Sequence, residues 1–262
     1  MKRAYFRFYA ELNDFLPPWR RMVPFACSFE TSGSVKDMIE ALGVPHTEVD
    51  LILANGSSVD FSYAVQNGDY ISIYPVFESI DIKPLLRVRP EPLREIRFVL
   101  DTHLGRLAGY LRMMGFDTLY RNDYQDEELV RISTNARRLL LTRDRGLLKR
   151  RAVTRGYFVR ATEPRQQLAE VLRRFDLYRS IVPFARCLRC NGSLQAAEKQ
   201  LIQDRLPPKT KQYFDEFRVC EACDRIYWKG SHYQRMQRLI ERLLKPQWGD
   251  ASLNSPHHRF TP

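Results

Sequence analysis

Residues 96–121 read IRFVLDTHLGRLAGYLRMMGFDTLYR, and the apolar pattern changes period twice within them. IRFVLD is a short β-forming run that ends in Asp101 and predicts a strand. HLGRLAGYLRMMG places Leu104, Leu107, Ala108 and Leu111 at helical spacing and stops at Gly115. FDTLYR predicts the next strand. The alternation continues: DEELVRISTNA (126–136) predicts a helix with Leu129, Ile132 and Ala136 inward, and RRLLLT (137–142) a strand running at once into Arg143-Asp144. A short helix, the strand YFVRA (157–161) and the helix PRQQLAEVLRRF (164–175) complete the block. Strands alternating with helices imply an α/β fold, a parallel sheet with helices on both faces, over residues 94–180.

That layout gives the acids a place. In open parallel sheets functional groups gather beyond the carboxyl ends of the strands. Asp101 and Asp144 both follow strands, and Asp126 opens a helix after a third, with Glu127 beside it. Three carboxylates converging in a basic segment call for a cation, and an oxygen-only ligand set selects Mg²⁺ or Mn²⁺. Such ions lower the pKa of a bound water and offset charge on a leaving oxygen. Arg106, Arg112, Arg143 and Arg145 are expected to hold flanking phosphates. Each acid also has a plainer reading as a helix cap or a first-turn acid that suits the helix dipole. His103 is expected to face solvent or to cap.

Working outward, residues 1–80 predict strand (AYFRFYAEL), strand (FACSF), a helix begun by Ser34 with Asp37 three residues on, strand (VDLILANG, ending in an Asn55-Gly56 turn) and strand (NGDYISIYPVF). This is a β-grasp layout, resembling the ubiquitin-like sulfur carriers. Those carriers end in Gly-Gly, whereas this block ends in Pro75-Val76-Phe77-Glu78 and continues, so it is read as a recognition or docking module with a possible protein partner. Cys27 is expected in its core. Pro84, Pro90 and Pro92 mark residues 81–93 as an extended linker.

The far block, 181–246, carries Cys187-x2-Cys190 and Cys220-x2-Cys223, then a helix (YQRMQRLIERLLK) whose Met236, Leu239, Ile240, Leu243 and Leu244 form one stripe. A CxxC turn brings two thiolates onto one tetrahedral ion, so the four predict one structural zinc with no open position. Gly192 is expected to form the first knuckle. The 29-residue gap between the pairs is read as a two-strand insertion bearing LPPKTKQYF. Residues 247–262 have turn composition and are read as a mobile tail.

The 262 residues hold 42 Lys+Arg against 31 Asp+Glu, a net charge of +11. Residues 1–92 have 9 against 12, residues 93–180 have 19 against 11, and residues 181–262 have 14 against 8. The excess therefore lies entirely beyond the first block and points to a polyanion partner such as RNA. No run approaches the roughly 18 apolar residues of a membrane helix, the N-terminal stretch does not read as a secretory signal, and five cysteines with four in CxxC pairs suit a reducing cytoplasm.

VLDTHLGRLAGYLRMMGFDT, QDEELV and LLLTRDRGLL together resemble the PIN-like RNase domain at the C-terminus of the Mut-seven exonucleases. RCLRCNGSL through FRVCEACDRIYWKGSHYQRM is similar to the zinc ribbon that accompanies it, and the β-grasp to the ubiquitin-like module fused in bacterial members. The resemblance implies a metal-dependent nuclease with Asp101, Asp126 (Glu127 its neighbour) and Asp144 as its acids. Many relatives carry a further Asp where this chain has Gly146. The expectation is a metal-dependent endoribonuclease whose zinc ribbon binds RNA through Trp228, Lys229, His232 and Arg235, with Tyr227 and Tyr233 as further stacking candidates. The alternative, supported by Gly146, is a non-catalytic RNA-binding or adaptor protein.

Overall fold

The computed structural model describes residues 1–75, 87–88 and 96–244. The linker and tail expectations therefore fall almost wholly outside the described residues. The chain divides into two compact units, Met1–Gln195 with Cys220–Arg225, and Ala196–Val219 with Ile226 onward.

The first unit begins with a five-stranded sheet in the order β2-β1-β5-β3-β4. Its strands are β1 (Lys2–Phe8), β2 (Phe25–Phe29), β3 (Leu51–Ala54), β4 (Ser57–Val59) and β5 (Tyr70–Tyr74). β1 and β5 are parallel and the other pairs antiparallel, so the layout is a β-grasp. Alternation sends Phe6, Phe8, Ile71 and Ile73 inward, where Val35 and Ile39 of helix α1 (Val35–Ala41) meet them. Ser34 caps α1 as its spacing predicts, accepting from the Asp37 N–H, and its hydroxyl donates to the Asp37 carboxylate. Cys27 packs against this core as expected.

Two local expectations change. β1 stops at Phe8, because Ala10 takes a left-handed φ of 46° and turns the chain into a 3-10 segment, Ala10–Phe15. β4 was not foreseen: its residues Ser57, Ser58 and Val59 lack a strand's apolar alternation, and the Asn55-Gly56 turn, with both φ positive, folds them back.

The rest of the first unit holds a parallel sheet ordered β7-β6-β8-β9, from β6 (Phe98–Leu100), β7 (Thr118–Leu119), β8 (Leu139–Thr142) and β9 (Gly156–Phe158). Helices α2 (Gly105–Met113), α3 (Asp126–Asn135), α4 (Arg145–Lys149) and α5 (Pro164–Arg174) connect and follow the strands. Every residue of β6 and β8 is buried, as a central parallel strand requires.

The second unit packs Ile202, Leu206 and Phe217 with Phe214, Val219, Ile226 and Trp228. β10 (Leu194–Ala197), β11 (Phe217–Cys220) and β12 (Ile226–Trp228) form a sheet in that order. The gap between the cysteine pairs holds β10 and most of β11, and between these strands the chain is helical, with α6 (Lys199–Ile202) and α7 (Pro208–Tyr213), the latter formed by the LPPKTKQYF stretch. Pro208 sits at the first turn of α7, where its missing N–H costs nothing. Helix α8 (Ser231–Leu244) follows, with Ile240 buried and Met236 and Leu239 half-buried. Among the described residues no helix is long and apolar enough to cross a membrane.

Candidate active site and cysteine cluster

β6 and β8 lie side by side, and β6 is where strand order reverses, with β7 on one flank and β8 on the other. A crevice opens at such a reversal beyond the carboxyl ends. Asp101 leaves β6 there, 6% exposed. One of its carboxylate oxygens accepts from the Thr102 N–H at 2.5 Å, and the other from the Thr142 hydroxyl at 2.6 Å. That hydroxyl in turn accepts from the Asp144 N–H at 2.8 Å. One threonine at the end of β8 thus fixes the Asp101 carboxylate and the Asp144 backbone together. The exposed Asp144 side chain caps α4, accepting from the Gly146 N–H at 2.7 Å. A Cβ on residue 146 would stand 3.1 Å from Asp144 Oδ1, so glycine gives the capping carboxylate room.

Asp126 and Glu127 open α3, where acids suit the positive end of the helix dipole. The Arg150 guanidinium forks across them, at 2.9 Å to Asp126 Oδ2 and 2.9 Å to Glu127 Oε1. Arg150 holds the Glu127 carboxyl below its ordinary range by hydrogen bonding and charge. Among the described residues, the four cysteines are the only group of three or more Cys, His, Asp or Glu whose ligand atoms all lie within 4.8 Å of one another. Asp101 and Asp144 are linked through Thr142, while Asp126 faces an arginine. The oxygen donors of Asp101 and Asp144 fit a hard divalent cation; Asp126 and Glu127 are donors of the same kind, occupied by a cationic side chain.

The arginines divide. Arg106 and Arg145 are exposed, and Arg145 lies over the rings of Phe15 and Phe158 at 5.0 and 5.4 Å. Arg112, expected on phosphate, is instead 5% exposed and donates to the carbonyls of Thr118, Leu188, Arg189 and Tyr120. Arg143 is turned inward too, one guanidinium nitrogen serving the carbonyls of Val159, Arg160 and Ala161. Both guanidinium groups are engaged by backbone carbonyls, which removes them from a phosphate surface. Trp228 belongs to the core of the second unit. Lys229 pairs with Glu216, and His232 and Arg235 are exposed on α8. His103 is exposed in the 3-10 turn after Asp101, as expected.

The cysteine cluster is built by two matching turns. Cys187 and Cys223 sulfurs lie 3.6 Å apart and Cys190 and Cys220 sulfurs 3.4 Å. Neither is a disulfide, which needs about 2.05 Å. Both are close to the roughly 3.8 Å edge of a tetrahedron with metal–sulfur bonds of about 2.3 Å. Each CxxC is followed by a left-handed residue, Asn191 (φ 70°) and Asp224 (φ 60°), whose N–H donates back to the carbonyl of the first cysteine, at 3.0 and 2.9 Å. Asn and Asp tolerate that conformation better than other side chains. Gly192 plays a different part from the one expected: a Cβ there would meet the Cys220 sulfur and the Ala222 methyl at 2.8 Å, so it allows the two turns to close. Burial among neighbouring thiols pushes Cys190 up to about 12, so a thiophilic cation would have to displace its proton. The cluster is tied down: Arg112 holds the two residues between Cys187 and Cys190, and Asn191 donates to Asp117 at 2.6 Å and accepts from the Thr118 N–H at 2.8 Å.

Thr142, Arg150 and Asn191 were not singled out from the sequence. The TxD spacing was a visible signal for Thr142. Nothing local to the chain links Arg150 to acids 23 and 24 residues away.

Comparison with known proteins gives three findings. The family model described as Mut7-C RNAse domain matches residues 96–240, and the one described as Mut7-C ubiquitin matches residues 1–81. No curated protein matches. Among solved structures, the crystal structure of H. volcanii small archaeal modifier protein 1 is 15% identical with a TM-score of 0.24, covering 29% of this chain and 100% of that one.

Proposed function

Because the chain belongs to the Mut7-C RNAse domain family, we propose that it is a metal-dependent endoribonuclease whose site is the carboxyl edge between β6 and β8. The observation that carries this reading is the Asp101–Thr142–Asp144 linkage, which presents two acids from adjacent strands at the strand-order reversal. Asp101 and Asp144 would hold Mg²⁺ or Mn²⁺, joined by Asp126 and Glu127 when Arg150 is drawn off to the RNA. When bound, such an ion lowers the pKa of the attacking water and offsets charge on the leaving oxygen. Thr142 aims the buried Asp101 carboxylate, since its hydroxyl donates to one oxygen. Arg106 and Arg145 hold the flanking phosphates. Cys187, Cys190, Cys220 and Cys223 hold one zinc that shapes the fold and takes no part in chemistry, all four positions being filled. Lys229, His232 and Arg235 contact the RNA backbone.

Mixed single-stranded and structured RNA, incubated with wild type and with Asp144→Asn in Mn²⁺ or in EDTA, tests this. Cleavage by wild type in Mn²⁺ alone, with Asp144→Asn reduced at least a hundredfold, is expected. Equal cleavage by both proteins rejects the reading.

The Arg150 fork favours one rival. A guanidinium already neutralising Asp126 and Glu127 suits a protein that keeps the fold and binds RNA without cutting it. Binding without cleavage by either protein would select it.

A further inference from the structure

The β-grasp is expected to recruit something, and its outward sheet face says what. On β1 the outward positions are Arg3, Tyr5 and Arg7, and on β5 Tyr70, Ser72 and Tyr74, because Ala4, Phe6, Phe8, Ile71 and Ile73 point into the core. Tyr5 and Tyr70 are cross-strand partners, stacked with centroids 4.7 Å apart and 13° between planes. Tyr9 and Tyr74 form a second stack at 4.1 Å. Arg7 lies over the Tyr9 ring at 4.8 Å. Arg3 and Arg7 are exposed, Tyr70 is 60% exposed, and Ala26, the partner of Tyr5 on β2, is exposed and presents only a methyl group.

The charge of this face differs from that of the block around it. Residues 1–92 carry more acids than bases, yet no outward strand position is a carboxylate. Among the described residues neither Arg3 nor Arg7 has an ion-pair partner. Two guanidinium groups with no ion pair among the described residues, stacked aromatic rings and the small Ala26 and Ser72 make a cationic, π-bearing surface on β1 and β5, bordered by Leu51 and Leu53 of β3. A structural sheet face facing water would instead mix both signs of charge.

The rest of the block explains why this face is free. The β-grasp meets the parallel-sheet part of the same unit through Glu11, Asp14, Phe15, Glu40, His46 and Glu48, none of which stands on a strand. Among the described residues that leaves Arg3, Arg7 and Tyr70 exposed, whereas Leu51, the outward cross-strand partner of Tyr74 on β3, is 4% exposed, so the accessible part of the face is its β1 side.

We propose that this face binds single-stranded RNA, with Arg3 and Arg7 on phosphates and bases stacking on the Tyr5–Tyr70 pair. Aromatic rings on an open sheet take bases of any sequence, because every base has a π-face, and arginines track the backbone. A strand caught there would be kept near the carboxylates of the same compact unit. The inference rests on RNA being the substrate, and it makes the ubiquitin-like block part of substrate recognition in place of a protein tag.

The test is fluorescence anisotropy of end-labelled (rU)12 titrated with the full chain in EDTA. Arg3→Ala/Arg7→Ala should weaken binding about tenfold and flatten the slope of log K against log salt by about 1.4, since each single-strand phosphate contact contributes about 0.7. Tyr70→Ala should weaken binding about fivefold or more without changing that slope. All three side chains lie outside the core, so circular dichroism spectra at the assay temperature should match wild type. Wild-type affinity in both variants, no binding of (rU)12 by wild type, or equal competition by polyglutamate at the same charge concentration, which would mark a general site for acidic polypeptides, overturns the proposal. Cleavage in Mn²⁺ is read separately. Variants that bind as wild type while wild type still cuts remove the platform and keep the nuclease. Arginine-dependent binding with no cutting keeps the platform and removes the nuclease.

Discussion

Thr142 is fully buried at the end of β8, and its single hydroxyl donates to Asp101 and accepts from the Asp144 N–H. Valine has nearly its shape and neither capacity, so Thr142→Val leaves a buried carboxylate oxygen and a backbone N–H each short of a partner. Each lost bond costs about 1–2 kcal/mol. The expected result is a fall in stability of about 2 kcal/mol, cleavage reduced at least tenfold, and recovery of both in Thr142→Ser. Urea denaturation beside an RNA cleavage assay checks it; unchanged cleavage in the valine variant would falsify the linkage as an organiser of the site. Asp101 and Asp144 were legible in the sequence because strand ends in a parallel sheet are marked by the end of an apolar run. Arg150 was not, since an ion pair across helices leaves no mark in local spacing. The inward turn of Arg112 and Arg143 was hidden for the same reason: their four and three carbonyl partners exist only once the chain has folded.

At the scale of elements, the two CxxC turns are the feature the sequence displayed best, because two thiolates on one ion require a fixed short turn. Their attachment was invisible. Asp117 forms a two-pronged pair with Arg138 at 2.8 and 3.0 Å and accepts from Asn191, tying β7, β8 and the first turn together. Purified protein should contain one equivalent of zinc. Metal analysis finding less than about half an equivalent would count against the cluster as a metal site. Chelation should loosen residues 187–225 and leave β6 and β8 protected, as amide exchange would read. The acid limb of the stability curve belongs here too. Burial opposes ionisation of Asp117, but hydrogen bonds and charge from Arg138, with Asn191 and Arg186, outweigh it and hold its carboxyl below the usual range. A depressed carboxyl pKa stabilises the fold above the unfolded value of about 3.9 and loses that contribution as pH falls through the folded value. Thermal melts should therefore fall from about pH 4 downward, and Asp117→Asn, less stable by about 3 kcal/mol at neutral pH, should show a shallower fall.

At the scale of the whole molecule, the sequence suggested a docking module joined by a linker, whereas the β-grasp is built into the first unit. β9 is the edge strand of the parallel sheet, and an uncovered edge invites pairing with other chains. Glu48, fully buried, accepts from the Phe158 N–H on that edge at 2.5 Å and pairs with Arg160 at 3.3 Å. His46 reaches the Val153 carbonyl at 2.8 Å. Phe158 packs against the cores of both the β-grasp and the parallel sheet. None of this is readable from PHTEVD, residues 45–50, whose polar look predicts a surface loop. A side chain shared between two cores couples their unfolding, so residues 1–195 should melt as one cooperative transition in calorimetry. Glu48→Ala leaves an edge N–H without its acceptor in a buried interface and takes one of two carboxylates from Arg160, which keeps Asp14, a change that costs about 1–3 kcal/mol. It should lower that single transition without splitting it, because Phe158 still bridges the cores. A chain lacking residues 1–80 exposes β9 and half of the Phe158 packing, and should be recovered mainly as aggregate. Two separate transitions in the intact protein, with the truncated chain soluble and melting at the upper one, would show that the β-grasp is a passenger and that the covered edge contributes nothing to the fold.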